Sequence, residues 1–361
     1  MNDKVTLMKG NEALAMAMIR YGADGYFGYP ITPQSEVLEK LEEEMPGDTT
    51  GMVVLQAESE VAAINMVYGG AMTGKAVCTS TSSPGFSLMQ EGVSYLAASE
   101  VPALLINVQR GGPGLGTIHA SQADYFQACK GGGHGDYHMI VLAPSSVQEM
   151  ADMVALGFDL AFKYRCVSMI LADGTIGQLM EKVVLPEQRP RRTEEQIREQ
   201  CPWAVNGRKG MRPSNVVTSL ELDDDKMEEN NWRFQACYRE IEKNETRCEL
   251  IDVEDCDYLI TAFGTTARVA MKTMELARAE GIKVGMFRPI TLWPFPEKQL
   301  REAAKNVKGI LCVELNAGQM VEDVKLAVEC KMPVEHYGRF GGNVPTPDEL
   351  LNVLKEKLIN K

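Results

Sequence analysis

The sequence predicts an α/β protein built on parallel β-sheets that are covered by helices on both faces. Short, continuous apolar runs, such as residues 101–108 and 165–172, are typical of strands buried on both faces. These runs alternate with patterns of helical length. The alternation stops in a polar stretch after residue 182 and starts again at residue 257. For a chain of 361 residues, 45% of them hydrophobic, we therefore expect two domains.

The first domain is predicted over residues 1–182. A helix over 9–22 ends at Gly22, because glycine readily adopts the left-handed conformation that closes a helix. A strand over 26–29 leads into Pro30-Ile31-Thr32-Pro33, where Thr32 is predicted to cap a helix that starts at Pro33. The later predicted strands are 51–56, 75–80, 101–108, 138–143 and 165–172; the helices between them start at Glu58 or cover 86–99 and 146–163, the last capped by Ser146.

The rest of the chain is predicted as a linker and a smaller α/β domain. Residues 183–256 are polar and contain one predicted helix, over 225–247, with Phe234, Tyr238 and Ile241 on one face. Residues 257–361 alternate again. The predicted strands are 257–263, 283–287, 309–313 and 333–337, and the predicted helices start at Thr265 and Pro296 or cover 318–329 and 347–359. The segment 288–296 is too rich in proline for the interior of an element, which predicts a fixed loop.

Glu60 stands at the start of an unusual predicted helix. Beyond it, residues 61–71 are almost all apolar or small, which predicts a helix buried on every side. A carboxyl group removed from water favours its neutral form, and a neutral carboxyl can donate a hydrogen bond or a proton to a ligand. Alternatively, Glu58 and Glu60 only complement the positive end of the helix dipole, worth roughly 0.3–1 kcal/mol each. This stretch alone leaves both interpretations open.

The carboxyl ends of the predicted strands indicate where a ligand binds, because open parallel sheets bind ligands at that edge. Arg110 is the one lysine or arginine in the four segments at these ends, 29–32, 56–60, 81–85 and 109–116. It is therefore the candidate anchor for a substrate carboxylate through a bidentate pair, the alternative being a solvated arginine at a loop edge. The glycines of 111–116 lack the G-x-G-x-x-G spacing and no helix pattern begins there, which argues against a dinucleotide loop. The glycine-rich run 131–135 predicts a tight loop.

Charge and cysteine usage exclude several classes of protein. A net charge of −13 disfavours binding to nucleic acid or to an anionic membrane surface. No apolar run approaches the roughly 20 residues that span a bilayer, and residues 1–5 lack a signal-peptide pattern, so we expect a cytoplasmic protein. Nine isolated cysteines without a Cys-x-x-Cys pair predict free thiols and argue against an iron–sulfur cluster or a zinc site in this chain. The four histidines also lack a metal-ligand pattern.

Several long motifs resemble those of the α subunit of 2-oxoacid:ferredoxin oxidoreductases, most closely the enzymes acting on 3-methyl-2-oxobutanoate (2-oxoisovalerate). The resemblance covers nearly the whole chain. The matching motifs are Gly28-Tyr29-Pro30-Ile31-Thr32-Pro33, Gln56-Ala57-Glu58-Ser59-Glu60-Val61-Ala62-Ala63-Ile64-Asn65, Gln90-Glu91-Gly92, Arg110-Gly111-Gly112-Pro113-Gly114, the glycine loop to Asp136, and Phe287-Arg288-Pro289-Ile290-Thr291-Leu292-Trp293-Pro294.

This resemblance implies a fold and a set of site residues. The first domain is expected to resemble the pyrimidine-binding domain of thiamine diphosphate enzymes, and the second the C-terminal domain of transketolase. Aligned on Val67-Tyr68-Gly69, Glu60 rather than Glu58 takes the place of the glutamate that hydrogen-bonds the aminopyrimidine ring. Thr32 and Arg110 fall on positions that hold the 2-oxoacid, although Thr32 can equally be only a helix cap. The remaining residues implied to bind the cofactor are Tyr29, Pro30, Ser83 and Gly85.

The resemblance also implies that this chain holds half of the cofactor site. Thiamine diphosphate enzymes hold Mg²⁺ and the diphosphate with Gly-Asp-Gly and a later asparagine, whereas this chain offers only Ala172-Asp173-Gly174 without that asparagine. A separate β subunit is therefore expected to supply the Mg²⁺–diphosphate half, with a γ subunit near CoA and a small ferredoxin-like subunit for the clusters. The reaction implied is the conversion of a 2-oxoacid, CoA and oxidised ferredoxin into acyl-CoA, CO₂ and reduced ferredoxin.

A branched-chain 2-oxoacid such as 3-methyl-2-oxobutanoate is the predicted substrate. The second carboxylate of 2-oxoglutarate would need its own cation in a closed pocket, because an unpaired buried charge is costly. Across 26–36, 56–60, 79–92 and 109–119, Arg110 is the one lysine or arginine, although His119, Lys130 or a β-subunit residue remain possible second partners. The apolar side chains in these segments are Phe27, Ile31, Phe86, Leu115 and Ile118.

Three rival functions follow from the same residues. The first is the α subunit of a 2-oxoglutarate:ferredoxin oxidoreductase, which differs only in its substrate pocket. The second is a non-catalytic assembly subunit, which the intact Glu60, Thr32 and Arg110 disfavour. The third is a nicotinamide-dependent dehydrogenase, which the missing dinucleotide loop disfavours.

Overall fold

A computed structural model describes residues 5–208, 210 and 212–360 of the chain. Within these residues, strands and helices alternate along most of the sequence. The strands are β1 (Val5–Lys9), β2 (Gly25–Gly28), β3 (Val53–Gln56), β4 (Val77–Thr81), β5 (Ala103–Gln109), β6 (Ile140–Leu142), β7 (Val167–Asp173), β8 (Met180–Val184), β9 (Cys248–Ile251), β10 (Tyr258–Thr261), β11 (Val284–Pro289), β12 (Thr291–Trp293), β13 (Gly309–Glu314) and β14 (Val334–Gly338).

The helices lie between these strands and cover the sheets. They are α1 (Gly10–Tyr21), α2 (Ser35–Glu44), α3 (Pro46–Thr49), α4 (Glu60–Met72), α5 (Pro84–Ala98), α6 (Tyr125–Cys129), α7 (Val147–Tyr164), α8 (Gly174–Gln178), α9 (Glu194–Gln200), α10 (Asp224–Asn244), α11 (Gly264–Ala279), α12 (Glu297–Ala303), α13 (Met320–Ala327) and α14 (Pro347–Leu354), which runs into a π-helical turn at Lys355–Ile359. None of these helices is long and apolar enough to cross a bilayer.

The larger sheet has the strand order β12-β6-β7-β5-β4-β2-β3. All of its pairings are parallel except that of β12 with β6. Every residue of β4, β5 and β7 is buried, as expected for strands covered on both faces. The predicted α/β class is confirmed, and the carboxyl ends of β2, β3, β4 and β5 meet at one edge of this sheet.

The smaller sheet has the order β14-β13-β10-β11-β9. Its core strands are parallel, and β9 pairs antiparallel to β11 at one edge. A third, two-stranded sheet joins β1 to β8 in antiparallel register. Strands β1, β8 and β9 were not predicted from the sequence, because exposed edge strands lack the continuous apolar runs of buried ones.

Several helix boundaries follow the predicted signals. Gly22 closes α1 with φ = 83°, and Ser146 caps α7 by accepting a hydrogen bond from the N–H of Glu149. The face of α10 formed by Phe234, Tyr238 and Ile241 is buried, as predicted.

The predicted cap at Thr32 is wrong. Helix α2 starts at Ser35, two residues later than predicted, and its N-cap residue is Gln34. The chain first makes a turn in which the N–H of Gln34 donates to the carbonyl of Ile31, at 2.9 Å. Asn11 fixes the same turn by donating from Nδ2 to the carbonyl of Pro33, at 2.7 Å. These two hydrogen bonds therefore stabilise a turn at residues 31–34, although threonine followed by proline is typical of a helix start.

The prediction that 288–296 is only a loop is also wrong. β11 continues to Pro289, and Thr291–Trp293 form an edge strand of the larger sheet although they lie between β11 and β13 of the smaller sheet in sequence. Edge positions tolerate neighbouring prolines, because one side of such a strand needs no hydrogen-bond donors.

Helix α4 is not buried on every side within this chain. Ser59 caps it by accepting from the N–H of Ala62, so that Glu60 is its first residue. Val61 and Met66 are 46% and 37% exposed, whereas Ala63, Ile64 and Val67 are buried. The helix therefore exposes apolar side chains on one face. The hydrophobic pattern of the sequence could not predict which face stays exposed, because residues 61–71 are almost all apolar or small.

Gln122 connects the two sheets through three buried hydrogen bonds. Its Nε2 donates to the carbonyl of Phe263 at 2.7 Å, and its Oε1 accepts from the N–H of Leu315 at 3.0 Å and from the hydroxyl of Thr266 at 3.2 Å. The segments that follow β10 and β13 of the smaller sheet are thereby held against the loop that carries Gln122.

Candidate cofactor and substrate site

The ends of β2 and β3 bring two of the matching motifs side by side. Gly28 pairs with Gln56, and the N–H of Ala57 donates to the carbonyl of Gly28 at 2.8 Å. The segment Tyr29–Pro30 therefore leaves the sheet next to the segment that leads into α4. Tyr29 and Pro30 are both half-buried.

A buried chain of hydrogen bonds fixes the turn after β2. The hydroxyls of Tyr26 and Ser80 are 2.7 Å apart, and Ser80 donates to Oε1 of Gln34 at 2.6 Å. Nε2 of Gln34 in turn donates to the carbonyl of Tyr29 at 3.3 Å. Because burial disfavours the charged phenolate, it raises the pKa of Tyr26 well above its usual value, and this hydroxyl stays neutral.

Glu60 is buried, with 6% of its surface exposed, and it packs against Gly85 at the start of α5. A Cβ atom at Gly85 would lie 2.6 Å from Oε1 of Glu60 and would also clash with the hydroxyl of Thr81. No hydrogen bond from the described part of the chain reaches the Glu60 carboxylate, and the buried hydroxyl oxygen of Thr81 likewise has no partner there. The site therefore contains a buried carboxylate that is free to bond a ligand.

The structure separates the two glutamates of the motif. Glu58 is exposed in the turn before α4, whereas Glu60 is buried at its first position. The family resemblance implied that Glu60 rather than Glu58 meets the cofactor, and the burial of Glu60 makes it the better placed of the two to bond a ligand inside the fold.

Ser83 holds the turn between β4 and α5 in an uncommon backbone conformation. Its φ is 22° and its ψ is −78°, a region that costs a non-glycine residue about 1–3 kcal/mol unless the surroundings hold it. Its N–H donates to Oδ1 of Asn107 at 2.9 Å. Its hydroxyl lies between Asp124 and the backbone of Arg110.

Arg110 is 7% exposed and lies at the end of β5. Its Nη1 donates to the carbonyl of Thr32 at 2.9 Å, and its Nη2 donates to the carbonyl of Leu115 at 3.1 Å. Its Nε is buried and finds no acceptor among the described residues. A guanidinium group has five N–H donors, so two carbonyl bonds leave three available for an anion. The fold thus brings Thr32 and Arg110 together through the Thr32 carbonyl, whereas the Thr32 residue itself is exposed.

Asn107 and Asp124 belong to this site but were missed by the sequence analysis. Asp124 accepts from the hydroxyl of Ser83 at 2.6 Å and from Nδ2 of Asn107 at 2.9 Å, with Oδ2 serving both bonds. Burial raises the pKa of Asp124, and the two hydrogen bonds oppose that rise. Neither residue stands out in the sequence. Asn107 lies inside an apolar run, and Asp124 lies in a polar loop 41 residues after Ser83.

A cavity of about 600 Å³ opens beside these residues. Ser83, Arg110 and Asp124 line its first-domain side, and the second domain contributes its opposite wall. Among the described residues that line the cavity, Arg110 is the one lysine or arginine. The second-domain residues in the wall are Leu315, Asn316, Ala317, Gln319, Phe340 and Gly341.

Three sequence-based suggestions for the substrate pocket find no support in this geometry. Phe86 is a core residue with no exposed surface, and Leu115 is 83% exposed on the loop after β5. Lys130, suggested as a second cation, is ion-paired with Asp323 and lines a different cleft. None of the five predicted apolar residues lines the cavity beside Arg110.

Asp173, the acidic residue of the incomplete Gly-Asp-Gly motif, has a structural role. It caps α8 by accepting from the N–H groups of Thr175 and Ile176. It also accepts from the N–H and the hydroxyl of Thr265 at the start of α11, at 2.8 and 2.5 Å. Burial raises the pKa of Asp173, and its four hydrogen bonds oppose that rise.

The cysteines and the metal-ligand residues can be placed as well. All nine cysteines are free, and six of them are buried. No group of three or more His, Cys, Asp or Glu side chains within the described ranges is arranged to hold a metal ion.

Two family models match the chain. The family described as "Pyruvate flavodoxin/ferredoxin oxidoreductase, thiamine diP-bdg" matches residues 16–245. The family described as "Pyruvate:ferredoxin oxidoreductase core domain II" matches residues 256–350. The chain is 48% identical over 351 residues to the ketoisovalerate oxidoreductase subunit VorB of Methanothermobacter marburgensis, covering 97% of each chain. It is 35% identical over 376 residues to the 2-oxoglutarate synthase subunit KorA of the same organism, covering 96% of this chain and 97% of the relative.

Solved structures show the same fold. The 2-oxoglutarate:ferredoxin oxidoreductase from Magnetococcus marinus, with 2-oxoglutarate, coenzyme A and succinyl-CoA bound, superposes with a TM-score of 0.82 at 28% identity. The match covers 98% of this chain and 65% of that longer chain. A split-gene transketolase in an inactive β4 tetramer superposes with a TM-score of 0.60 at 13% identity, which is a likeness of fold alone.

Proposed function

This chain belongs to the 2-oxoacid:ferredoxin oxidoreductase family, and on that premise we propose that it binds the aminopyrimidine half of thiamine diphosphate and the 2-oxoacid in a multi-subunit enzyme. The observation that carries this proposal is the buried, unpartnered carboxylate of Glu60, which packs on Gly85 in the domain that matches the family's thiamine diphosphate-binding region. The residues present fit the cofactor, because a ring nitrogen would satisfy this carboxylate, which packs directly against Gly85 and is bonded by no described residue.

In this proposal Glu60 is the catalytic residue. It would hydrogen-bond the aminopyrimidine ring of the bound cofactor, which places a positioned acid–base group at that ring. Tyr29, Pro30, Ser83 and Gly85 shape the surroundings of the ring. When bound, the cofactor supplies the carbanion stabilisation that the decarboxylation of a 2-oxoacid requires.

Arg110 and Thr32 bind the 2-oxoacid. Three N–H groups of Arg110 are free after its bonds to Thr32 and Leu115, and the buried Nε lacks an acceptor. A substrate carboxylate supplies acceptors of the right charge, and charge-assisted bonds of this type are strong and directional. The backbone bonds to Thr32 and Leu115 hold the guanidinium in place before the substrate arrives, which reduces the cost of ordering it.

The preferred substrate in this proposal is a branched-chain 2-oxoacid, 3-methyl-2-oxobutanoate. Arg110 is the one lysine or arginine among the described residues that line the adjacent cavity, so the second carboxylate of 2-oxoglutarate has no cation of its own there. Identity to the ketoisovalerate subunits, 46–48%, is also higher than the 33–35% to the 2-oxoglutarate synthase subunits.

The Mg²⁺–diphosphate half of the site is proposed to come from a β subunit. Asp173 lies in the sequence that resembles part of a diphosphate-binding motif. Its carboxylate already accepts hydrogen bonds from the first N–H groups of α8 and from Thr265. Beside Glu60, exposed Leu55, Val61, Met66 and Leu88 offer an apolar surface that a partner chain would cover. We further propose a γ subunit that takes part around CoA and a ferredoxin-like subunit that carries the iron–sulfur clusters. The proposed domain limits are 1–182, 183–256 and 257–361.

Purification of the complex from its native source tests this function. We expect co-purifying subunits, CoA-dependent and 2-oxoacid-dependent reduction of a viologen dye, and a higher kcat/KM for 3-methyl-2-oxobutanoate than for 2-oxoglutarate. A preference for 2-oxoglutarate would replace the substrate proposed here by that of the rival enzyme. Separately, calorimetry on the isolated chain should show weak thiamine diphosphate binding, and tight Mg²⁺-dependent binding would contradict the half-site proposal.

A further inference from the structure

Asp124 closes a ring of hydrogen bonds that joins the ends of β4 and β5 to the loop before α6. Oδ2 of Asp124 accepts from the Ser83 hydroxyl and from Nδ2 of Asn107, at 2.6 and 2.9 Å. Oδ1 of Asn107 then accepts from the N–H of Ser83 at 2.9 Å. The Ser83 oxygen accepts from the N–H of Arg110 at 3.0 Å. Each polar group in this ring has its orientation determined by its neighbour.

The position of the single hydroxyl proton of Ser83 decides what its oxygen can do. The proton has two acceptors within reach, Asp124 at 2.6 Å and the carbonyl of Arg110 at 3.3 Å. The shorter bond, to a carboxylate, is the stronger of the two. With the proton on the Asp124 side, the lone pairs of the Ser83 oxygen face the N–H of Arg110.

Asp124 is also tied to the residue before Arg110. Its N–H donates to Oε1 of Gln109 at 3.1 Å, and Nε2 of Gln109 donates to the carbonyl of Ala172 in β7 at 3.2 Å. The loop that carries Asp124 is therefore attached to two consecutive residues at the end of β5. The N–H of Asp124 bonds Gln109 directly, and its carboxylate reaches the backbone of Arg110 through Ser83.

From this geometry we infer that Asp124 is a positioning residue for substrate binding, which acts through Ser83 to fix Arg110 at the end of β5. The inference rests on the proposed role of Arg110 as the 2-oxoacid anchor. It also accounts for the backbone of Ser83, because the bonds to Asn107 and Asp124 hold this residue at a φ of 22°. Asp124 lines the same cavity as Arg110, so its effect is exerted at the substrate end of the site.

Steady-state kinetics of the whole complex test the inference. Asp124→Ala should raise KM for the 2-oxoacid by about 10- to 100-fold, the range expected when a hydrogen bond to a charged group is lost, and should change kcat less. Asp124→Asn should restore KM close to that of the unsubstituted complex, because a single amide oxygen can accept from both Ser83 and Asn107. Asp136→Asn, at an exposed aspartate outside this cavity, is the matched control and should have no effect.

A double-mutant cycle separates positioning from general destabilisation. If Asp124 acts through Ser83, Ser83→Ala should reproduce the effect of Asp124→Ala, and the double variant should be no worse than the worse single one. Independent, multiplying losses would overturn the inference, as would an unchanged KM in Asp124→Ala. If Asp124→Ala does not assemble, Ser83→Ala together with Asp124→Asn still decides, because a normal KM in Ser83→Ala contradicts the inference.

Arg110→Lys distinguishes a failure of this inference from a failure of the proposed function. If Arg110→Lys leaves KM for the 2-oxoacid unchanged, the substrate-binding role of Arg110 is wrong. If Arg110→Lys raises KM while Asp124→Ala and Ser83→Ala do not, Arg110 binds the substrate without help from Asp124.

Discussion

Asp173 of the first domain accepts two hydrogen bonds from Thr265 of the second, one from its N–H at 2.8 Å and one from its hydroxyl at 2.5 Å. Both residues are buried, so water cannot replace either bond. The aspartate of a sequence that resembles part of a diphosphate-binding motif thus serves to join β7 of the larger sheet to α11.

Thr265→Val should destabilise the protein by about 1–3 kcal/mol, because it removes the hydroxyl from a buried carboxylate while keeping the shape of the side chain. Urea unfolding of the chain measures the difference. Thr175→Val, at an exposed threonine of α8, is the control and should be nearly neutral. Equal stability of Thr265→Val and the unsubstituted protein would mean that the domain contact does not depend on this bond.

Glu60→Gln should slow 2-oxoacid-dependent dye reduction by about 10²–10⁴-fold, the usual contribution of a positioned acid–base group. The assay requires the assembled complex, and retained subunit composition shows that the variant still assembles. Glu58→Gln is the matched control, since Glu58 is exposed two residues away. Similar losses in both variants would instead favour helix-end electrostatics, and normal activity in Glu60→Gln would favour the assembly-subunit alternative.

Gly85→Ala should reduce activity by about tenfold or more, because the added Cβ would push the Glu60 carboxylate aside and small displacements of reacting groups cost up to about 100-fold. Gly47→Ala introduces the same methyl group at an exposed position in α3 with only an ordinary contact, to the Met52 carbonyl. Activity and melting temperature of the two variants should be compared in the complex. Full activity in Gly85→Ala would show that the close approach to Glu60 is not required.

Glu245 should give the protein a measurable pH dependence. It is 3% exposed; burial raises its pKa, but bonds from Lys163, Tyr164 and Arg247 outweigh that effect and hold it below its ordinary value. A carboxyl with a lowered folded-state pKa stabilises the fold above its unfolded pKa and loses that contribution as pH falls through the folded pKa. Glu245→Gln should therefore be less stable than the unsubstituted protein at neutral pH.

That difference in unfolding free energy should stay constant down to about pH 5 and narrow below about pH 4.3, the ordinary pKa of glutamate. Urea unfolding at several pH values measures it. Glu242→Gln, at an exposed glutamate in the last turn of α10, which ends just before Glu245, should show no such trend. If this difference in unfolding free energy does not change with pH, the shape of the Glu245 side chain and not its charge stabilises the fold.

The sequence was sufficient for the alternation of elements and for part of the site. Apolar runs and cap residues such as Gly22 and Ser146 gave the strands and helices because these signals are local in the chain. Glu60, Ser83, Gly85 and Arg110 were chosen as residues at strand ends or in matching motifs. The fold brings Glu60 against Gly85 and hydrogen-bonds Ser83 to Arg110.

Only the tertiary structure decided what these residues contact. Asn107 and Asp124 lie 24 and 41 residues from Ser83, and no periodicity links positions so far apart. The turn that replaced the Thr32 cap depends on Asn11, and the strand within 288–296 depends on pairing with β6, about 150 residues earlier in the chain. Helical and strand patterns are set by neighbours along the chain, so the sequence by itself determined the α/β framework and the strand ends where a ligand binds. Hydrogen-bond partners and burial are set by neighbours in space, so only the tertiary structure decided them.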